Sequence, residues 1–352
     1  MNFGSDNIAG VAPEIMAAIT EANTGVAVPY GGDAISARLD EAFSSLFETR
    51  AQVFPVATGT AANALGLAML CPPYGSVYCH PAAHIATDEA GAPEFYTGGA
   101  KLLPVDGADA KIAAADLDAV LATDVERFPH SVKRAAVSIS QATERGVVYT
   151  ADEVAGLSEV ARRHGMGLHM DGARFANAIA HLGCVPAEVT WRAGVDVLSF
   201  GVTKNGALAA EALVFFSRAD LDEFAWRRKR AGHLFSKMRF AAAQLEAMLA
   251  DGLWLRLACH ANAMATRLAT GLEKIPGVAL AHPCQANEVF IEVDEALAEA
   301  IEAAEVGADR WNTAAPVVMR LVCAFDTPQA DIDSFIDMVL GLSAAATVVA
   351  AE

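Results

Sequence analysis

Short apolar runs alternate with longer amphipathic segments over most of the chain. The runs are AQVFPV (51–56), GSVYC (75–79), AKLLPV (100–105), RAAVSIS (134–140), MGLHM (166–170) and VDVLSF (195–200). Each has the length of a buried strand, and the segments between them, such as DEVAGLSEVARRHG (152–165), carry apolar residues at helical spacing. This rhythm predicts βαβ units, an α/β fold with a mostly parallel sheet covered by helices. After about residue 218 the pattern changes. Helical segments dominate from 219 to 275, then NEVFIEV (287–293) reads as a strand, followed by a helix, VVMRLVC (317–323) as a strand and a last helix from about 328. This predicts a smaller C-terminal α+β domain, with a boundary near 245 that helical pattern runs through.

Composition narrows the function classes. The 352 residues are 54% hydrophobic, ample for a sizeable core. Lys and Arg number 25 against 43 Asp and Glu, a formal charge of −18. So acidic a chain suits neither nucleic acid nor an anionic membrane surface, because phosphate affinity comes from clustered cations. A small anionic ligand held by a few local donors is still allowed. The cysteines at 71, 79, 184, 259, 284 and 323 form no C-x-x-C pair and have no zinc-type spacing with histidines. The expectation is free thiols, no metal site and a reducing, cytoplasmic compartment. MNFGSDN lacks the basic start and apolar run of a signal peptide. MVLGLSAAATVVAA (338–351) is shorter than a membrane span and reads as the end of a packed helix with a frayed tail.

Three segments carry candidate chemistry. TGTAAN (58–63) follows a strand-like run and opens a helical one, so its small residues and helix-start N–H groups suit a phosphate seat, with a purely structural strand-to-helix turn as the rival reading. In HMDGARF (169–175), Asp171 falls at the C-terminal end of a strand, the edge where open α/β sheets bind ligands. A helix N-cap is its rival reading. In SFGVTKNGALAAEA (199–212), Lys204 follows another strand among mostly apolar neighbours, where desolvation favours a neutral amine. A surface lysine in a turn is the rival there. A phosphate anchor, a carboxylate for a pyridinium nitrogen and a lysine for an aldehyde together match pyridoxal 5'-phosphate (PLP).

The sequence resembles the fold-type-I PLP enzymes, and within them the threonine aldolases, most closely the low-specificity L-threonine and phenylserine aldolases. The likeness extends over nearly the whole chain, through SDNIAGVAPEI (5–15), PYGGD (29–33), TGTAAN (58–63), CHPAAHIATDEAGAPEF (79–95), HMDGARF (169–175), SFGVTKNG (199–206), KRAGHLFSKMRF (229–240) and VVMRLVCAF (317–325). The resemblance implies cleavage of β-hydroxy-α-amino acids to glycine and an aldehyde. It implies an N-terminal segment (1–22) packing near the site, a large PLP-binding domain (23–245) and a small domain (246–352). Lys204 would form the Schiff base, Asp171 would pair with the ring nitrogen, and Thr58, Gly59 and Thr60 would hold the phosphate. Arg174 would lie near the ring 3-hydroxyl and the substrate carboxylate. His84 would stack on the ring beside the β-hydroxyl, and Ser5 and Arg320 would bind the carboxylate. Glu89 would orient His84 or a water, or else cap a helix. Arg239, or Arg230 in its place, would reach a neighbouring subunit's phosphate, making the protein a homo-oligomer, a dimer at least and usually a tetramer in this family.

One stretch departs from the family pattern. Where many threonine aldolases carry Asn-Thr-His above the ring, this chain has Gln141-Ala142-Thr143. That removes a histidine from the hydroxyl side and leaves proton handling there to His84 or a water. Two alternatives stay open: another fold-type-I PLP reaction, such as β-elimination or amino transfer, and a binding protein without turnover.

Overall fold

The structure, a computed structural model, describes residues 1–124, 126–216, 221–312 and 316–351. The apolar runs become the strands β1 (Gln52–Val56), β2 (Gly75–Cys79), β3 (Lys101–Pro104), β4 (Lys133–Ser140), β5 (Gly167–Gly172) and β6 (Val197–Gly201). The pattern had not separated a further strand, β7 (Glu211–Phe215), from the segment around Lys204. Together they form a seven-stranded sheet in the order β1-β7-β6-β5-β4-β2-β3. The run from β3 through β6 is parallel, and β7 runs antiparallel to both β1 and β6. Every residue of β2, β6 and β7 is buried, as expected of strands covered on both faces.

Local signals place the covering helices. Thr150 and Glu153 form a reciprocal capping box at the start of the helix Ala151–Arg163. Thr58 caps Gly59–Leu70 by accepting from the Ala61 amide at 3.1 Å. Glycine is required at one sharp joint: at Gly201, a Cβ would lie 2.7 Å from the Ala173 backbone, where the strand ends crowd together.

From residue 265 onward a second core forms. Strands β8 (Ala279–Leu280), β9 (Glu288–Val293), β10 (Asp309–Arg310) and β11 (Val317–Val322) make an antiparallel four-stranded sheet, ordered β10-β11-β9-β8. Leu268, Leu272, Ile291, Met319, Ile332 and Phe335 pack into its core, together with Phe3 from the N-terminus. The Phe3 carbonyl accepts from the Val322 amide at 2.7 Å, so the first residues are tied to this second sheet. The helix Arg239–Leu249 spans residue 245, and the last helix, Gln329–Ala351, runs on through the stretch where fraying was expected. No helix among the described residues is long and apolar enough to cross a membrane.

Candidate active site

Strand direction decides what meets at the site. β1, β2, β4, β5 and β6 all finish at one edge of the sheet. β7 runs the other way, so its first residue, Glu211, lies in register with both Val56 and Gly201 at that same edge. One pocket there is lined by Thr58, Gly59, Thr60, His84, Asp171, Arg174 and Lys204, the core of the site expected from the sequence. Asn7, Asn63, Glu144 and Glu211 also line it.

The seat at Thr58–Thr60 is the start of a twelve-residue helix. Its unpaired N–H groups and dipole favour an anion. Gly59 leaves open space where a Cβ would stand. Across the pocket Lys204 sits in a short 3-10 turn, Thr203–Asn205, closed by Gly206 at φ +103. The Arg174 guanidinium, and burial after it, push the Lys204 amine below its ordinary value. Both causes favour the neutral, nucleophilic amine. Beside it Glu211 is buried, accepts from the Val202 amide at 2.9 Å and is pushed up to about 7 by burial.

Asp171 is held from two sides. Its Oδ1 accepts from the Ala173 amide at 2.9 Å, and its Oδ2 accepts from Asn63 Nδ2 at 2.8 Å. The first contact closes the turn after β5 and caps no helix: the next one, Phe175–Leu182, has Arg174 at its N-cap, so the capping role weighed from the sequence is not formed. Asn63 Nδ2 also donates to Glu89 Oε1 at 2.8 Å, and the same oxygen lies 2.8 Å from His84 Nδ1. Glu89 therefore orients His84. The contact with Glu89 raises His84 above its ordinary value, while burial raises Glu89. The row Asp171–Asn63–Glu89–His84 joins three segments, His84 and Glu89 lying five residues apart in one of them. Only Asn63 in it went unrecognised, although it ends the TGTAAN block.

Arg174 is already engaged. Its Nε and Nη2 donate to Asp6 at 2.8 and 3.2 Å, and its Nη1 lies 3.3 Å from Glu288 Oε2. Burial alone would disfavour the Arg174 charge; Asp6 and Glu288 more than offset that and raise it above the ordinary value. Asp6 and Glu288 were not anticipated. A lone carboxyl in an otherwise apolar strand is a signal that points to Glu211, because a buried charge needs a partner; Asp6, in a turn, and Glu288, which shares its strand with Glu292, carry no such mark.

Three expected residues lie off the pocket lining. Ser5 caps the turn Asp6–Ile8, its hydroxyl accepting from the Asn7 amide at 3.1 Å, and Asn7 faces the pocket instead. Arg320 donates to the Gly4 carbonyl at 3.2 Å and stacks over Trp311 at 5.0 Å. Arg239 lies near the carbonyls of Thr24 and Gly25, at 3.3 and 3.4 Å, in a separate groove. In the helix before it, Arg228 is buried and donates to the Pro55 carbonyl at 2.7 Å.

The stretch Gln141-Ala142-Thr143 follows β4 beside the pocket. The Gln141 amide turns away and exchanges hydrogen bonds with the Tyr149 backbone at 2.8 and 2.9 Å. Thr143 lines the pocket but donates to the Asp109 carbonyl at 2.9 Å. The next residue, Glu144, brings a carboxyl to the pocket wall.

Known proteins share this architecture. The family model for beta-eliminating lyases matches residues 2–296. A low specificity L-threonine aldolase from Pseudomonas sp. (strain NCIMB 10558) is 44% identical over 94% of each chain. Another, from Pseudomonas aeruginosa, is 46% identical over 92% of this chain and 93% of its own. A solved threonine aldolase structure from Leishmania major covers 97% of this chain and 99% of that one, with a TM-score of 0.90 at 27% identity.

Proposed function

The chain belongs to the beta-eliminating lyase family, on the threonine aldolase branch of these fold-type-I PLP enzymes, and from this we propose that it cleaves L-threonine, L-allo-threonine and L-phenylserine to glycine and the matching aldehyde. The observation that carries the reading is the meeting of Lys204, Asp171 and the helix start at Gly59 on one pocket. The pocket suits PLP. It offers an amine of lowered pKa, an oriented carboxylate and an anion seat, and it leaves buried Asn63 Oδ1 and Glu89 Oε2 without a partner among the described residues.

PLP, when bound, supplies an aldehyde to be condensed with an amine and a ring that accepts electrons. Lys204 is the condensing amine. Asp171, held by Asn63 and the Ala173 amide, keeps the ring nitrogen protonated. Thr58, Gly59 and Thr60 hold the phosphate through N–H groups and hydroxyls. His84, oriented by Glu89, stacks on the ring. Arg174 would serve the ring hydroxyl and the substrate carboxylate, and Ser5 and Arg320, which lie off the pocket lining, would complete the carboxylate site from the N-terminal segment and β11.

The protein works as a homo-oligomer, a dimer at least and a tetramer by family habit, with Arg239 reaching a neighbour's phosphate. Arg239 points away from its own pocket and sits by Gly25, next to the exposed Val26, Val28 and Tyr30, an apolar face suited to a second copy. Six free cysteines fit a reducing cytoplasm.

Incubation with the three amino acids, read by chiral chromatography, tests the reaction. Glycine plus aldehyde supports it, and pyruvate or another 2-oxo acid overturns it in favour of elimination or amino transfer. Lys204→Ala is expected to abolish both turnover and the yellow absorbance near neutral pH; retention of both sinks the lysine assignment.

A further inference from the structure

The loop after β4 brings a carboxyl to the pocket that none of the roles above uses. We propose that Glu144 takes the proton from the substrate's β-hydroxyl group, an assignment that rests on the aldol-cleavage reading. Glu144 lines the same pocket as Lys204 and Asp171. Its Oε1 is fixed by two donors, the His84 backbone amide at 2.9 Å and the Ser140 hydroxyl at 2.5 Å. Its Oε2 is shielded from water and meets no donor among the described residues. A buried carboxyl oxygen without a donor is costly to maintain. A turn of the carboxyl toward the pocket it lines would bring that oxygen to a substrate hydroxyl, the donor that is missing.

The other polar groups on this side are committed. Gln141 and Thr143 are spent on backbone partners. His84 is held at Nδ1 by Glu89, which raises its pKa and leaves less of the unprotonated ring near neutral pH. The charged groups around Glu144 are Asp171 on β5, Arg174 after it, His84 after β2, and the adjacent Arg145. Burial pushes the Glu144 carboxyl up to about 7. A group titrating near the working pH serves well as a base, because it is substantially ionised and still binds the proton it receives.

The balance is simple. Glu144 Oε2 accepts the hydroxyl proton, and the O–H electron pair becomes the second bond of the aldehyde C=O. The Cα–Cβ bond breaks, its electron pair staying with Cα, and Cα takes up a proton to give glycine. Glu144 returns its proton to solvent or to the product. No oxidant or reductant is consumed.

The test compares the wild-type holoenzyme with Glu144→Gln and Glu144→Asp. It records cofactor absorbance with and without glycine, exchange of the glycine α-hydrogen for deuterium by NMR, and the pH profile of cleavage. Glycine has no β-hydroxyl, so its exchange needs the cofactor site but not this base. The Gln variant is expected to keep the absorbance and the exchange while cleavage falls by about 10²–10⁴-fold and its acid limb disappears, with the Asp variant recovering part of the rate. Cleavage by the Gln variant within about tenfold of wild type overturns the proposal and leaves His84 or a water as the base. Exchange lost in step with cleavage also overturns it, making Glu144 a positioning group for His84. A wild type that exchanges glycine but yields no glycine and aldehyde from any β-hydroxy amino acid overturns the aldol reading itself.

Discussion

Asp6 grips Arg174 across 168 residues of chain, through two nitrogen–oxygen contacts of 2.8 and 3.2 Å. The pair is almost dry: the Asp6 side chain is 1% exposed and that of Arg174 13%. It clamps the N-terminal segment onto the turn after β5, and Asn287 adds a third contact to Asp6 at 3.1 Å. The N-terminus thereby becomes part of the site wall, with Asn7 facing the pocket.

Removing one partner of such a pair leaves a buried charge uncompensated. Asp6→Asn is expected to lower unfolding stability by about 3 kcal/mol, the low end for a buried pair because Glu288 keeps hold of Arg174. Urea unfolding measures it. Burial works against the Asp6 charge, but Arg174 prevails and holds the carboxyl below its ordinary 3.8. The contribution is therefore present above 3.8 and is lost as pH falls through the lower folded-state value, so the gap between wild type and variant persists at pH 5 and above. A variant as stable as wild type at pH 7 contradicts the clamp.

Asn63 serves two carboxylates with one nitrogen, Asp171 and Glu89, each at 2.8 Å. Asn63→Leu leaves both without that donor. Hydrogen bonds to charged groups contribute about 1.5–3 kcal/mol, so PLP affinity is expected to fall about 10- to 100-fold. Titration of the apoenzyme with PLP, followed by fluorescence, reads the change. An unaltered affinity removes Asn63 from the set that orients Asp171.

Glu211 carries a pH signature of the opposite sign to Asp6. Burial raises its folded-state value to about 7 against an ordinary 4.5, so the native chain holds this proton more tightly than the unfolded one. Stability then falls as pH rises from 4.5 through 7 and stays reduced above. Glu211→Gln keeps an acceptor for the Val202 amide and removes the titration. The variant is expected to gain about 2–3 kcal/mol on wild type between pH 5 and pH 8 in urea unfolding. Parallel curves at the two pH values rule the effect out.

Much of this was legible because local chemistry carried it. β-branched and apolar runs bounded by turn residues located six strands of the main sheet, and small residues after a strand located the anion seat at Thr58–Thr60. Asp171 and Lys204 announced themselves as lone charged groups at strand ends. β7 was missed because it begins only a few residues after the turn around Lys204 and its first residue is the charged Glu211, so its short apolar run reads as part of that segment. Glu89 could not be assigned between cap and orienting group, since only its 2.8 Å approach to His84 decides.

Periodicity and residue type, which are properties of neighbours in the chain, were enough for the layered α/β class and the lysine and carboxylate pair, while the family came from the resemblance of whole motif blocks. The partners of those groups depended on strand direction and on long-range packing. Antiparallel β7 carries Glu211 back to the C-terminal edge, the Phe3 tie to β11 brings Asp6 within reach of Arg174, and the turn after β4 presents Glu144 beside Thr143 on the pocket wall. Hydrogen bonds and ion pairs between such distant residues depend on distances of a few tenths of an ångström, which no one-dimensional pattern encodes.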